Sequence, residues 1–158
     1  GFVTRRNFLQ KPYNNLILVD HNEKEQSING IQEAHIEEII DHHRINMEKT
    51  DTPIFVYAEP VGSTCTIIYE MYKKNKIVPE KESAIMLLGG IVSDTVCLKS
   101  PTTTEKDIKA VERLEKLTKI TKEKISEILL SAAVKFEDIN CRKAILSDFK
   151  TYTENSVL

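Results

Sequence analysis

Apolar residues in this chain fall first into short runs and later into helical spacing. Leu16-Ile17-Leu18-Val19 runs into Asp20, Ile36-Glu37-Glu38-Ile39-Ile40 runs into Asp41, and a third apolar stretch covers 54–58. β-Branched and apolar clusters between polar turns predict strands near 16–20, 36–41 and 54–58. Over 62–75, Gly62-Ser63-Thr64 offers hydroxyls to cap a helix, and Ile67, Ile68, Met71 and Tyr72 recur at helical spacing. Segment 80–93 carries Ala84, Ile85, Leu87, Leu88, Ile91 and Val92, too apolar for a surface helix. It should be buried and present Asp94 at its end, with Gly89-Gly90 marking close packing or a kink. Segments 104–118 and 121–135 each start with Thr and read as amphipathic surface helices whose charge runs, such as Lys116 to Lys124, face solvent. Pro101-Thr102-Thr103-Thr104 is a loop that stops one element and caps the next. The expected class is α/β, a parallel sheet with flanking helices.

Composition narrows the setting. A chain of 158 residues, 41% hydrophobic and 29% charged, suits one domain with a real core. A net charge of -2 gives no electrostatic case for nucleic acid. No apolar run approaches the roughly 20 residues that span a bilayer, and no signal-peptide core follows the first residues. The expectation is a cytoplasmic protein without nucleic-acid or membrane partners. Cys65, Cys97 and Cys141 are odd in number and widely spaced, which argues against a disulfide framework or a thiolate metal site. Cys97 lies near Asp94 in sequence but has no neighbouring base of its own.

The candidate chemistry sits where the apolar runs end. Asp20-His21-Asn22, Asp41-His42-His43 and Ser93-Asp94-Thr95 each close one. An acid at the end of a strand is delivered to the carboxyl edge of the sheet, where α/β folds bind ligands. Carboxylate oxygens favour Mg²⁺ or Mn²⁺, and imidazole shifts the balance toward Mn²⁺, Co²⁺ or Zn²⁺. Asp, His and Asn at strand ends also serve as caps and turn formers, so the argument rests on the combination. His21 follows Asp20 on a strand end and should point to the opposite face, as packing or supporting residue. His35 has no motif around it and is expected at the surface.

Read in order, Asp20-His21-Asn22-Glu23 with Gln26-Ser27, Asp41-His42-His43-Arg44, Glu59-Pro60-Val61-Gly62-Ser63-Thr64, and Ser93-Asp94-Thr95 with Lys99-Ser100-Pro101-Thr102 resemble four motifs of the manganese-dependent (family II) inorganic pyrophosphatases of the DHH phosphoesterase superfamily. The resemblance covers roughly residues 16 to 150. It implies hydrolysis of pyrophosphate to two phosphates by a metal-activated water, with Mn²⁺ or Co²⁺, and possible Mg²⁺, at two or more ions per site. It implies Asp20 bridging two metals, His42 and Asp94 each holding one, and His43 facing phosphate; Asp41, preceding the two histidines, then reads as an acceptor that fixes an imidazole tautomer or as a group that orients the backbone. Lys99 and Ser63 are further candidates to approach the substrate, and a simple cap is the plain alternative for Ser63. Two cations held about 3.5–4 Å apart lower the pKa of a bridging water and clamp phosphoryl oxygens. A homodimer is also implied.

Departures from the family pattern suggest a fragment. The family's first-strand His-x-Asn-Pro-Asp-x-Asp is not found, and the chain runs only to a segment, Asp148-Phe149-Lys150, that resembles the opening of the family's second domain. Alone, the chain should be inactive. Gly1-Phe2-Val3-Thr4-Arg5-Arg6-Asn7 resembles the closing strand of a cystathionine-β-synthase-type (CBS) domain, which implies adenine-nucleotide contact through Thr4 and Asn7 and regulation by AMP, ADP or ATP. Asn7 stands where that pattern usually has Asp, and an amide bonds ribose hydroxyls without a charge. The expected organisation is 1–12 as the end of a CBS-like domain or linker, 13–137 as a partial DHH domain, and 138–158 as linker and start of a C-terminal DHHA2-type domain. Two other classes stay open: a DHH-type phosphodiesterase acting on short oligonucleotides or cyclic dinucleotides, and a non-catalytic regulatory fragment.

Overall fold

The three apolar runs fold as strands: β1, Asn15–Val19; β2, His35–Asp41; and β3, Phe55–Ala58. The computed structural model describes residues 15–46, 50 and 52–133. The terminal segments 1–12 and 138–158, and with them Thr4, Asn7 and Cys141, lie outside the described residues. All pairing is parallel, in the order β1-β2-β3, and two single-turn 3-10 helices, Lys24–Gln26 and Ile31–Glu33, lie between β1 and β2. Val19 pairs with Ile40 and Asp41 with Ala58, so all three strands end level at one carboxyl edge. The fold is α/β with a parallel sheet, as the alternation of runs implies.

Four helices follow: α1, Thr64–Lys74; α2, Lys81–Asp94; α3, Glu105–Thr118; and α4, Lys122–Ala133. Helix α2 is central and packs against the other three, which is why its sequence is apolar on more than one face. Ala84, Leu88, Ile91, Ala110 and Leu114 are fully buried between α2 and α3. Each large side chain among them contributes about 1.5–3 kcal/mol on leaving water. Exposed pairs such as Lys124–Glu127 and Lys109–Glu105 contribute under about 1 kcal/mol each. Apolar packing therefore holds the helical layer, while the charge runs on α3 and α4 remain in solvent. Of the two glycines in α2, only Gly90 marks close packing, where α1 brings Cys65 against it; Gly89 has open space beside it.

The two layers meet through Ile40, Val61 and Ile67, a small apolar cluster that joins β2, the turn after β3 and the first half of α1. It lies directly behind the carboxyl edge of the sheet and sets how α1 approaches that edge.

Candidate metal centre

Asp20, immediately after β1, has a φ of 66°. Its N–H still continues the ladder, donating to the Ile40 carbonyl at 3.0 Å. The left-handed conformation costs an L-residue about 1–2 kcal/mol, with Asp and Asn tolerating it best. Here its carboxylate Oδ1 comes to 3.6 Å from Nε2 of His42, which follows β2. Asp20, His42 and His43 each offer one ligand atom, and those atoms lie within 4.8 Å of one another.

Hydrogen bonds at the rear of each ring decide what faces forward. The His42 Nδ1 lies 2.9 Å from the Val61 carbonyl, which can only accept, so Nδ1 carries the proton and a neutral ring keeps Nε2 as a bare lone pair beside Asp20. The His43 Nδ1 lies 2.8 Å from Asp41 Oδ1, leaving Nε2 free in the same way. The rings sit 4.1 Å apart and tilted by 59°. His21 turns its Nδ1 to the Val19 carbonyl at 2.9 Å and is not one of the clustered donors.

Asp41 is fully buried behind this pair. Its Oδ1 also accepts the His43 N–H at 3.1 Å, and its Oδ2 accepts the Asn22 amide at 2.7 Å. Burial alone would raise its pKa; the donors from Asn22 and His43 outweigh that and hold the carboxyl below its ordinary value. Asn22 does more than its place in a motif suggested. It is buried, donates also to the Arg44 carbonyl at 3.0 Å, and accepts the Asn46 N–H at 2.7 Å, tying the exit of β1 to the loop after β2. No sequence signal distinguishes that role, because all three partners, Asp41, Arg44 and Asn46, lie some twenty residues away.

Asp94 lies outside the group of three donors. Its Oδ2 accepts the Ser63 hydroxyl at 2.6 Å, while Ser63 Oγ also caps α1 by accepting the Cys65 N–H at 3.2 Å. Ser63 therefore caps the helix, as the plainer sequence reading has it, and also holds an acid, a role that the sequence reading did not name. Cys65, beside it, has its thiol pKa raised by burial first and then by the negative charges of Asp94 and Asp20, countered in part by Ser63. The thiol stays protonated in a neighbourhood shared by both carboxylates.

Beyond Asp94 the chain winds left-handed, with φ of 48° at Val96, 55° at Cys97 and 64° at Leu98. The turn is held by Thr95, whose carbonyl accepts from Lys99 and Ser100 N–H at 2.9 and 2.8 Å. Strain of this kind gathers at functional sites. Val96 is β-branched and 64% exposed, so its side chain gains little from burial. Val96→Gly should therefore stabilise the fold by about 1 kcal/mol, read as a rise in the denaturation midpoint. Lys99 at the end of the turn is exposed, and its side chain makes no hydrogen bond or ion pair among the described residues. A cavity of about 530 Å³ lies elsewhere, lined by Tyr69, Ile77 and Leu117 with Lys73, Lys76 and Arg113. Lys73 lies in the last turn of α1, where positive charge offsets the helix dipole.

Comparison with known proteins gives the family. The DHH family, N-terminal domain, matches residues 2–91. The chain belongs to the DHH family. Within it, the chain is 41% identical over 143 residues to the manganese-dependent inorganic pyrophosphatase of Bacillus subtilis, covering 90% of this chain and 46% of that protein. It is 36% identical over 157 residues to the cobalt-dependent inorganic pyrophosphatase of Clostridium perfringens, covering 99% of this chain and 29% of the relative. A Methanococcus jannaschii structure assigned to the family II inorganic pyrophosphatases is similar at a TM-score of 0.69 and 40% identity, over 75% of this chain and 41% of that one. The chain thus spans less than half the length of each of these DHH relatives.

Proposed function

We propose that this chain supplies part of the metal centre of a pyrophosphate-hydrolysing enzyme. The observation that carries the reading is the convergence of Asp20 with two imidazole rings, His42 and His43, at the carboxyl edge of a parallel sheet. A mixed carboxylate and imidazole set fits Mn²⁺ or Co²⁺ better than Mg²⁺, and the named relatives are manganese- and cobalt-dependent pyrophosphatases. Asp20 would bridge metal ions, with His42 and Asp94 each completing one ion's ligand set and His43 turned toward a phosphoryl oxygen. Such ions, when bound, supply a lowered water pKa and charge neutralisation on phosphate.

The residues of this chain do the orienting. Val61 and Asp41 accept from Nδ1 of His42 and His43, so in each ring it is Nε2 that is turned toward the cluster. Ser63 holds Asp94 from the side away from bulk solvent, and Lys99 is free to meet an anionic substrate. Regulation by AMP, ADP or ATP through CBS domains, with Thr4 and Asn7 contacting nucleotide, belongs to the same proposal, as do a cytoplasmic setting and a homodimer. Coverage is consistent with a further domain in some relatives and does not speak to regulation. A relative from Thermotoga maritima, assigned as a manganese-dependent inorganic pyrophosphatase, aligns with 96% of this chain yet is covered over only 28% of its length. Shorter relatives align with 87–90% and are covered over 44–46%.

The test is phosphate release by the full-length protein supplied with Mn²⁺, Co²⁺ or Mg²⁺, given pyrophosphate in one arm and a dinucleotide in the other. Hydrolysis of pyrophosphate alone, faster with Mn²⁺ or Co²⁺, is the expected result. Cleavage of the dinucleotide would place the protein with the DHH phosphodiesterases, and no turnover of either substrate would favour a regulatory role.

A further inference from the structure

Asp107 lies in the first turn of α3 and is fully buried, outside every motif that points to the metal centre. Its Oδ2 accepts the Thr104 N–H at 2.7 Å and the Thr104 hydroxyl at 2.6 Å, as a helix start requires. Two further donors have no part in capping. The Gly62 N–H reaches the same Oδ2 at 2.9 Å, and the Thr66 hydroxyl reaches Oδ1 at 2.5 Å, from positions 45 and 41 residues earlier. These donors hold the carboxyl ionised against the opposing effect of its burial.

The residues on either side of Gly62 are the two that hold candidate ligands. The Val61 carbonyl takes the His42 Nδ1 proton, and the Ser63 hydroxyl binds Asp94. Gly62 has no room to drift. A methyl group there would stand 2.7 Å from Thr95 Cγ2 and 2.9 Å from Asp107 Oδ2. A second tie runs alongside, from Lys106 of α3 to Glu59 at the start of the same turn.

We propose that Asp107 is a positioning residue for the metal centre: by fixing the Gly62 N–H it sets the ring of His42 and the carboxylate of Asp94 together. Asp107 is hydrogen-bonded to neither ligand and acts through residues 61–63. The inference rests on the metal-centre reading above. Its physical basis is that ligand side chains must be held within about 0.5 Å of productive geometry by the shell behind them. One buried acid at a helix start does this for ligands that arrive from two different elements.

The experiment is Mn²⁺ titration of the full-length protein, followed by the EPR signal of free Mn²⁺, with circular dichroism and melting temperature recorded for each variant. Asp107→Ala should raise the Mn²⁺ Kd about tenfold or more while the protein remains folded at the assay temperature. Asp107→Asn, whose amide oxygen can still accept from Gly62 and Thr104, should stay within about threefold of wild type. Asp107→Glu keeps the charge but pushes Gly62 outward by one methylene, and it should lose affinity like the alanine variant. If Asp107→Ala does not fold, Asp107→Glu decides. A folded Asp107→Ala or Asp107→Glu protein that binds Mn²⁺ as wild type does would overturn the positioning role, even with a lowered melting temperature. Asp20→Asn separates the two readings. Should wild type bind no Mn²⁺, or bind it no better than Asp20→Asn, the metal centre itself is wrong and this proposal goes with it.

Discussion

Replacing Asp20 by Asn is expected to reduce both Mn²⁺ affinity and pyrophosphate hydrolysis by the full-length protein by more than about a hundredfold, since changes behind a metal ligand alone cost 10- to 100-fold. Asparagine is the informative substitution because of the backbone. Asp20 sits at a φ of 66°, a conformation that Asn tolerates nearly as well as Asp and that Ala does not. An alanine variant would mix backbone strain with the loss of a ligand. With Asn the fold should be unchanged: the side chain is 54% exposed, and the N–H bond to Ile40 does not depend on it. A melting temperature equal to wild type with activity lost is the expected pair of results. Activity within a few fold of wild type would remove Asp20 from the centre. His21→Ala is the matched control and should change metal affinity little, because that ring is bonded back to Val19.

The second large effect concerns stability. Gly90→Ala should destabilise the protein by about 1–3 kcal/mol, because a methyl group there collides with the Cys65 sulfur across the α1–α2 contact. Gly89→Ala, one residue earlier in the same helix, meets nothing within 4 Å and should stabilise by about 0.5–1 kcal/mol through helix propensity. Opposite signs at adjacent glycines are hard to obtain from propensity alone. Chemical denaturation of both variants measures the difference directly. Equal shifts would mean that α1 and α2 do not cross at Gly90. Cys65 also lies beside Ser63 and near the charges of Asp20 and Asp94, so the collision at Gly90 should spread to the proposed metal centre. Some loss of Mn²⁺ affinity is therefore expected in Gly90→Ala and none in Gly89→Ala.

The order and type of elements were legible because each follows from local physics. Apolar runs ending in Asp20 and Asp41 specify strands whose ends carry acids, and the unbroken apolar run from Ala84 to Val92 specifies a helix buried among others. The same local grammar marked Ser63 as a cap and Asp41, His42 and His43 as candidate chemistry. What it could not supply was pairing at a distance. Whether Asp94 joins the three clustered donors or stands beside them depends on how α2 ends against the Ser63 turn, and the bond between those residues spans 31 positions. Asn22 and Asp107 show the same gap from the other side. Thr104 is visible in the sequence as a helix start, yet the grip of Asp107 on Gly62 exists only because α3 packs across α1 and α2. The left-handed run at Val96, Cys97 and Leu98 runs against local preference altogether, and it is held by backbone bonds back to Val92 and Ser93, by the Thr95 hydroxyl and by packing of Cys97 and Leu98 against the helical core. Sequence by itself therefore determined which side chains could do chemistry and on which elements they ride. Tertiary structure decided which of them meet, because hydrogen bonds at 3 Å between residues tens of positions apart are set by packing and not by propensity.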